Sequence, residues 1–130
     1  MRYSRQLSAA FAAGIFILAA SCSRNKPETG EDFRPEPIPV HVVNENFLDM
    51  NVAYVTGGVS RRLGTVNGNS SGDFKISWSS TTGQPVVMTA TPIGGRGSVN
   101  SGSLNVGFGQ MIEFKIGSVL RQSTAVVREP

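Results

Sequence analysis

Between Val40 and Arg128, apolar side chains recur at every second position in runs of five to eight residues, and Gly, Asn, Ser or Pro ends each run. A period of two is the spacing of a strand with one face buried. The runs predict strands at Val40–Asn44, Met50–Thr56, Val59–Val66 and Pro85–Thr91, with a terminal strand from Ser123 to Arg128. Phe74, Ile76 and Trp78 alternate with Lys75 and Ser77, and Ile112, Phe114 and Ile116 alternate with Glu113 and Lys115. Leu104, Val106 and Phe108 suggest one more inward face. Gly57-Gly58 predicts a two-residue hairpin turn, in which glycine supplies positive φ. Leu63 points inward and Arg62 outward, and Gly64 marks a bulge. Asn67-Gly68-Asn69 is a further turn, Ser79–Gln84 a loop, and Gly107–Gln110 another turn.

Seven or eight strands in about 90 residues, with no amphipathic helix among them, predict an all-β domain. Two packed sheets bury such strands, as in immunoglobulin-like or transthyretin-like sandwiches. A small barrel is the alternative. Trp78 is expected in the core. A domain of this size must hold together by packing, since the chain has one cysteine and so no internal disulfide.

That cysteine, Cys22, stands at the end of a different pattern. Arg2 and Arg5 precede an uncharged apolar stretch from Ala9 to Ala20, and the small residues Ala19, Ala20 and Ser21 lead into Cys22. Basic, apolar and small-residue regions in this order are the layout of a secretory signal. The apolar stretch is short for a membrane span. An uncleaved anchor is the alternative, since Gln6–Ser23 is free of charge.

The segment Leu18-Ala19-Ala20-Ser21-Cys22 resembles a bacterial lipobox. The resemblance implies cleavage between Ser21 and Cys22 and acylation of Cys22. The family prefers leucine three residues before the cysteine; here that position is Ala19, with Leu18 one step earlier. The chain therefore divides into a signal at 1–21, a lipidated Cys22 with a Pro-rich tether at 22–39, and a β-sandwich at 40–130. Acyl chains hold a protein on a membrane at roughly 0.8 kcal/mol per buried methylene, and two chains suffice for stable anchoring. Ser23, where aspartate favours inner-membrane retention in such lipoproteins, points to the outer membrane of the cell envelope.

Ser23–Pro39 mixes charges of both signs with four prolines and few apolar residues, which cannot form a core. Its seventeen residues span roughly 50 Å when extended at about 3.1 Å each. It reads as a spacer, with a Pro-rich recognition motif as the alternative. Asn44–Val52 and Arg62–Val66 also resemble segments of small lipoproteins of environmental bacteria with no assigned activity.

Charge excludes one function class. Loss of Arg2 and Arg5 with the signal leaves 10 of the 12 Lys+Arg against 9 Asp+Glu, a formal +1. There is no basic stripe interleaved with aromatics, so nucleic acid is not an expected partner. Arg61-Arg62 reads as solvated surface.

The chain offers little for catalysis. Its one histidine, His41, alternates with Val40 and Val42 and so points away from the core. Nucleophilic catalysis needs a nucleophile and an orienting group beside the base, and no such motif accompanies His41; a hydrolase is a remote alternative. The oxygen-rich Asn44-Glu45-Asn46…Asp49…Asn51 stretch admits calcium, or else caps and turns the chain between two strands. The turn reading is preferred, and no metal or cofactor is expected. Gly94-Gly95-Arg96-Gly97 and Gly107-Phe108-Gly109 lack P-loop spacing and read as turns. The expected function is a non-catalytic interaction or structural module, with an unidentified envelope protein as partner. A glycan- or peptidoglycan-binding module is the alternative, for which Phe47 and Tyr54 are the candidate contacts.

Overall fold

The computed structural model describes residues 35–130. The signal, Cys22 and most of the tether lie outside the described residues. Eight strands form: β1 Ile38–Asn44, β2 Met50–Thr56, β3 Val59–Val66, β4 Ser70–Ile76, β5 Val86–Pro92, β6 Val99–Leu104, β7 Met111–Ile116 and β8 Thr124–Arg128. One helical turn, α1 Trp78–Thr81, and a 3₁₀ turn, Leu120–Gln122, interrupt them.

The strands make two four-stranded sheets, ordered β4-β1-β7-β8 and β3-β2-β5-β6. The first sheet contains a parallel pair, β1 with β7; the other pairs are antiparallel. The domain is a β-sandwich, and the two inner faces form one core. Val40, Val42, Ile112, Phe114 and Ile116 from the first sheet meet Met50, Val52, Val86 and Met88 from the second, all essentially without solvent contact. The alternation read from the sequence is therefore the alternation of core and surface.

β1 begins at Ile38, so Ile38 and Pro39 belong to the sheet rather than to the tether. Pro39 pairs with Lys75 of β4, and β7 joins only at Val40↔Ile112. A proline near the start of a strand takes nothing from the ladder that β7 would need.

Gly57 and Gly58 both have positive φ, 55° and 78°, as the predicted tight hairpin requires. The bulge expected at Gly64 is present: pairing passes from Val52↔Gly64 to Ala53↔Arg62, leaving Leu63 extra. A Cβ on Gly64 would lie 2.6 Å from Phe74 Cε1, so the ring of Phe74 lies where a side chain would be.

Two expectations fail. Trp78 does not continue β4. The strand stops at Ile76, and the hydroxyls of Ser80 and Thr81 bond back to the carbonyls of Ser77 and Trp78. Serine and threonine offer the backbone this local alternative to a ladder. Trp78 is half-buried; it packs on the core and meets Phe108 edge to face, with ring centroids 6.1 Å apart and planes at 83°. The strand inferred around Leu104, Val106 and Phe108 lies earlier, at Val99–Leu104. Phe108 sits in the turn closed by Gln110 N–H to Gly107 O and is 56% exposed.

Candidate functional site

Four connections meet at one end of the sandwich: β1–β2, β3–β4, β5–β6 and β7–β8. The described chain enters at the other end, where Ile38 pairs with Ile76. The meeting point is organised by two buried asparagines, Asn44 and Asn46.

Asn44 is the last residue of β1. Its Oδ1 accepts Asn46 N–H at 3.0 Å, closing a local turn. Its Nδ2 faces the carbonyls of Leu48 at 2.8 Å, Asn67 at 3.0 Å and Val66 at 3.3 Å. Asn46 repeats the pattern: Oδ1 accepts Leu48 N–H, and Nδ2 donates to Ser118 O at 2.9 Å. Backbone bonds complete the tie, with Glu45 N–H to Ile116 O, Asn69 N–H to Asn46 O and Ile93 N–H to Asp49 O. Asp49 Oδ1 accepts Gly68 N–H. Gly68 permits this closeness, because a Cβ there would sit 2.1 Å from the backbone oxygen of Phe47. The β1–β2 loop thus holds the other three loops in place.

The same bonds engage the polar groups of the stretch that the sequence offered to calcium. Oxygens of Asn44, Asn46 and Asp49 accept backbone N–H groups, Glu45 pairs with Lys115 at 2.9 Å, and Asn51 accepts from Arg62 and Thr65. The polar side chains of this stretch fold a loop and do not converge on a point. No group of three His, Cys, Asp or Glu among the described residues is placed to hold a metal ion. The Glu45 carboxylate beside Lys115 raises the lysine above its usual value.

Over this polar base stand three exposed apolar side chains on three loops: Phe47 at 76%, Val119 at 48% and Ile93 at 46% exposure. Arg96 and Arg121 are exposed on the latter loops. Beside them, Val43, Asn44, Glu45, Asn69, Ser70 and Ser71 line a shallow open groove of about 370 Å³.

The two candidate ligand contacts part company here. Phe47 is on the surface of the loop end. Tyr54 is 5% exposed and belongs to the core, where its hydroxyl bonds Ser80 Oγ at 2.9 Å. The alternation Met50, Val52, Tyr54 puts it on the inner face of β2. Ile93, Val119 and the arginines went unnoticed because single apolar or basic residues in loops carry no sequence signal.

His41 faces outward from the first sheet, and its Nδ1 donates to Asp73 Oδ1 at 2.6 Å across the β1–β4 pair. Glu113 is its neighbour on β7 but pairs with Arg128 at 2.8 Å. Among the described residues no hydroxyl bonds to the His41 ring. The glycines of the other two loops serve turns: Gly94, Gly97 and Gly109 all have positive φ.

No family model matches the chain, and no curated protein matches it. Among solved structures it aligns with the NMR structure of a protein from Eubacterium rectale, at 13% identity and a TM-score of 0.48, over 78% of this chain and 97% of that one. No helix among the described residues is long and apolar enough to cross a membrane.

Proposed function

We propose that this protein is a lipid-anchored component of the bacterial cell envelope, held by acyl chains on Cys22, whose β-sandwich acts by contact and not by catalysis. The anchor rests on the lipobox-like segment ending at Cys22. The contact role rests on one observation: Phe47 and Val119 project from loops that buried side-chain amides hold, and Ile93 from a loop tied to Asp49 O through its own N–H. A preorganised surface loses little freedom on binding, which is how rigid loops gain affinity. The outer membrane is the favoured location.

Two measurements test the two halves. Palmitate labelling of the Cys22→Ala precursor should be lost, together with its membrane fractionation; persistent labelling refutes the anchor. Photo-crosslinkers placed at Phe47 and Val119 should capture a discrete product in cells, whereas one at Val55, on the outer face of the second sheet, should not. The reverse pattern refutes the contact surface.

A second reading, a glycan-binding module, is favoured by the groove of Glu45, Asn69, Ser70 and Ser71 next to the Phe47 loop. Hydroxyl, amide and carboxylate groups are the chemistry of sugar contact. Retention of the domain on purified peptidoglycan, lost in Ser70→Ala/Phe47→Ala, would select this reading.

A further inference from the structure

We infer that β8 is a pairing edge for a second copy of this chain: two β8 strands lie antiparallel about Val126 and join two four-stranded sheets into one continuous sheet. The inference stands apart from the loop-end reading and does not depend on it.

The sheets end in four edge strands, β4, β8, β3 and β6, and β8 differs from the other three. β3 is bulged at Leu63 and carries Arg61 and Arg62. β4 holds Gly72, Asp73 and Lys75. β6 holds Gly102 at a φ of 72°, and its register with β5 slips. Charges, bulges and irregular backbone are how edge strands avoid joining another sheet. β8 has none of these from Thr124 to Val127. It pairs with β7 without a break, and the charge of Arg128 at its end is taken by Glu113. Among the described residues no backbone hydrogen bond outside the β7 ladder reaches Thr124–Arg128. A regular strand rich in β-branched residues, with a row of open N–H and C=O groups, is a template for a further strand.

The occupant follows from the fit of β8 to itself. Thr124, Val126 and Arg128 lie on the outer face, and Ala125 and Val127 on the inner face opposite Phe114 and Ile112. In an antiparallel pair centred on Val126, Val126 faces its own copy, Ala125 faces Val127, and Thr124 faces Arg128. Val126 is 42% exposed, and Ala125 and Val127 are only half-buried although they pack on the core. The pairing covers each of them with an apolar side chain of the second copy and sets no like charges opposite each other. Apolar cross-strand pairs stabilise a ladder, and like charges directly opposite weaken it. A centre at Ala125 sets Ser123 against Val127, and a centre at Val127 sets Arg128 against Val126, so the side chains select one register. The two-fold axis reverses the second copy, and the two loop ends lie at opposite ends of the pair.

The test uses residues 32–130, which contain both sheets and the whole described core and carry no cysteine. Pairing over one short strand buries little area, so the dimer is weak and is sought up to about 1 mM protein. Analytical ultracentrifugation should show a reversible monomer–dimer equilibrium. Val126→Lys, which sets two lysines opposite each other at the centre of the pair, should weaken it at least about tenfold and leave the melting temperature of the dilute monomer unchanged. In a buffer of reduced and oxidised glutathione, Val126→Cys should give a disulfide-linked dimer, because opposed Cβ atoms in a ladder lie about 4.5–5.5 Å apart, close to disulfide reach. Phe47→Cys, at the more exposed loop-end position, should give the mixed disulfide with glutathione instead. A monomer throughout the concentration range overturns the inference. So does a dimer indifferent to Val126→Lys, or Phe47→Cys linking two copies as fast as Val126→Cys, since the second copy would then sit elsewhere.

Discussion

The two ends of the sandwich are closed by different means. At the loop end, buried side-chain amides of Asn44 and Asn46 satisfy the carbonyls and N–H groups that the turns leave open. At the opposite end, tight glycine turns at Gly57-Gly58 and Gly107–Gln110 do the work, and Trp78 covers the core edge with its ring against Phe108. The first device is polar and directional, so it leaves the apolar loop residues free to face solvent. The second turns an aromatic side chain inward. A single core therefore ends in two surfaces that both expose apolar side chains, Phe47, Ile93 and Val119 over a polar tie at one and Val59 and Phe108 beside a half-buried tryptophan at the other.

The difference is sharpest when each device is removed. Asn44→Ala takes away one acceptor and a donor shared by three carbonyls, all in buried surroundings; stranded buried groups cost about 1–3 kcal/mol each, so a loss of about 3 kcal/mol is expected in chemical denaturation. A loss under about 1 kcal/mol would mean that water replaces the amide and that the tie is dispensable. Trp78→Ala should cost about 2 kcal/mol, below the about 3–5 kcal/mol of a fully buried aromatic, because part of the ring is already in water. Its native emission should accordingly lie between the buried and fully exposed limits. Phe47→Ala should change stability by less than about 0.5 kcal/mol, since an exposed side chain gives up little on truncation. The contrast between Asn44 and Phe47, three residues apart, separates what builds the loop end from what it presents.

The smallest effect belongs to Lys115. Its raised pKa means that the folded state favours the charged amine. The linked stability is full below the unfolded-state value of 10.5 and disappears as pH climbs through the folded one. Melting temperatures of the wild type and Glu45→Gln should therefore converge only above pH 10.5, with a gap at neutral pH at the edge of detection for so exposed a pair.

Much of this could be read from the chain before its structure. Ile112, Phe114 and Ile116 are buried where the alternation put them, and Gly57-Gly58 turns where two adjacent glycines demand it. The bulge at Gly64 was legible as a glycine within a strand; the Phe74 ring that fills the space beside that glycine is a tertiary contact that no local pattern carries. β6 was hidden because Asn100, Ser101, Gly102 and Ser103 hold no apolar alternation; the strand is recruited by β5, with Ser101 Oγ accepting Met88 N–H where the ladder slips. Trp78 misled because its place in the alternation continued β4, while the serines around it turned the backbone away. The loop end was half visible. Asn44 and Asn46 read as turn formers, but that they tie two other loops to their own depends on residues up to 72 positions away.

Amide hydrogen exchange on residues 35–130 tests most directly whether the loop end is a preformed surface. The N–H groups of Asn46, Leu48, Gly68 and Ile93 donate to fixed acceptors, so their exchange should be slowed to the level of the central strands. Exchange at these four amides as fast as at the solvent-facing glycine turns would contradict the account, because the loops would then be mobile and Phe47 would not be held for any partner.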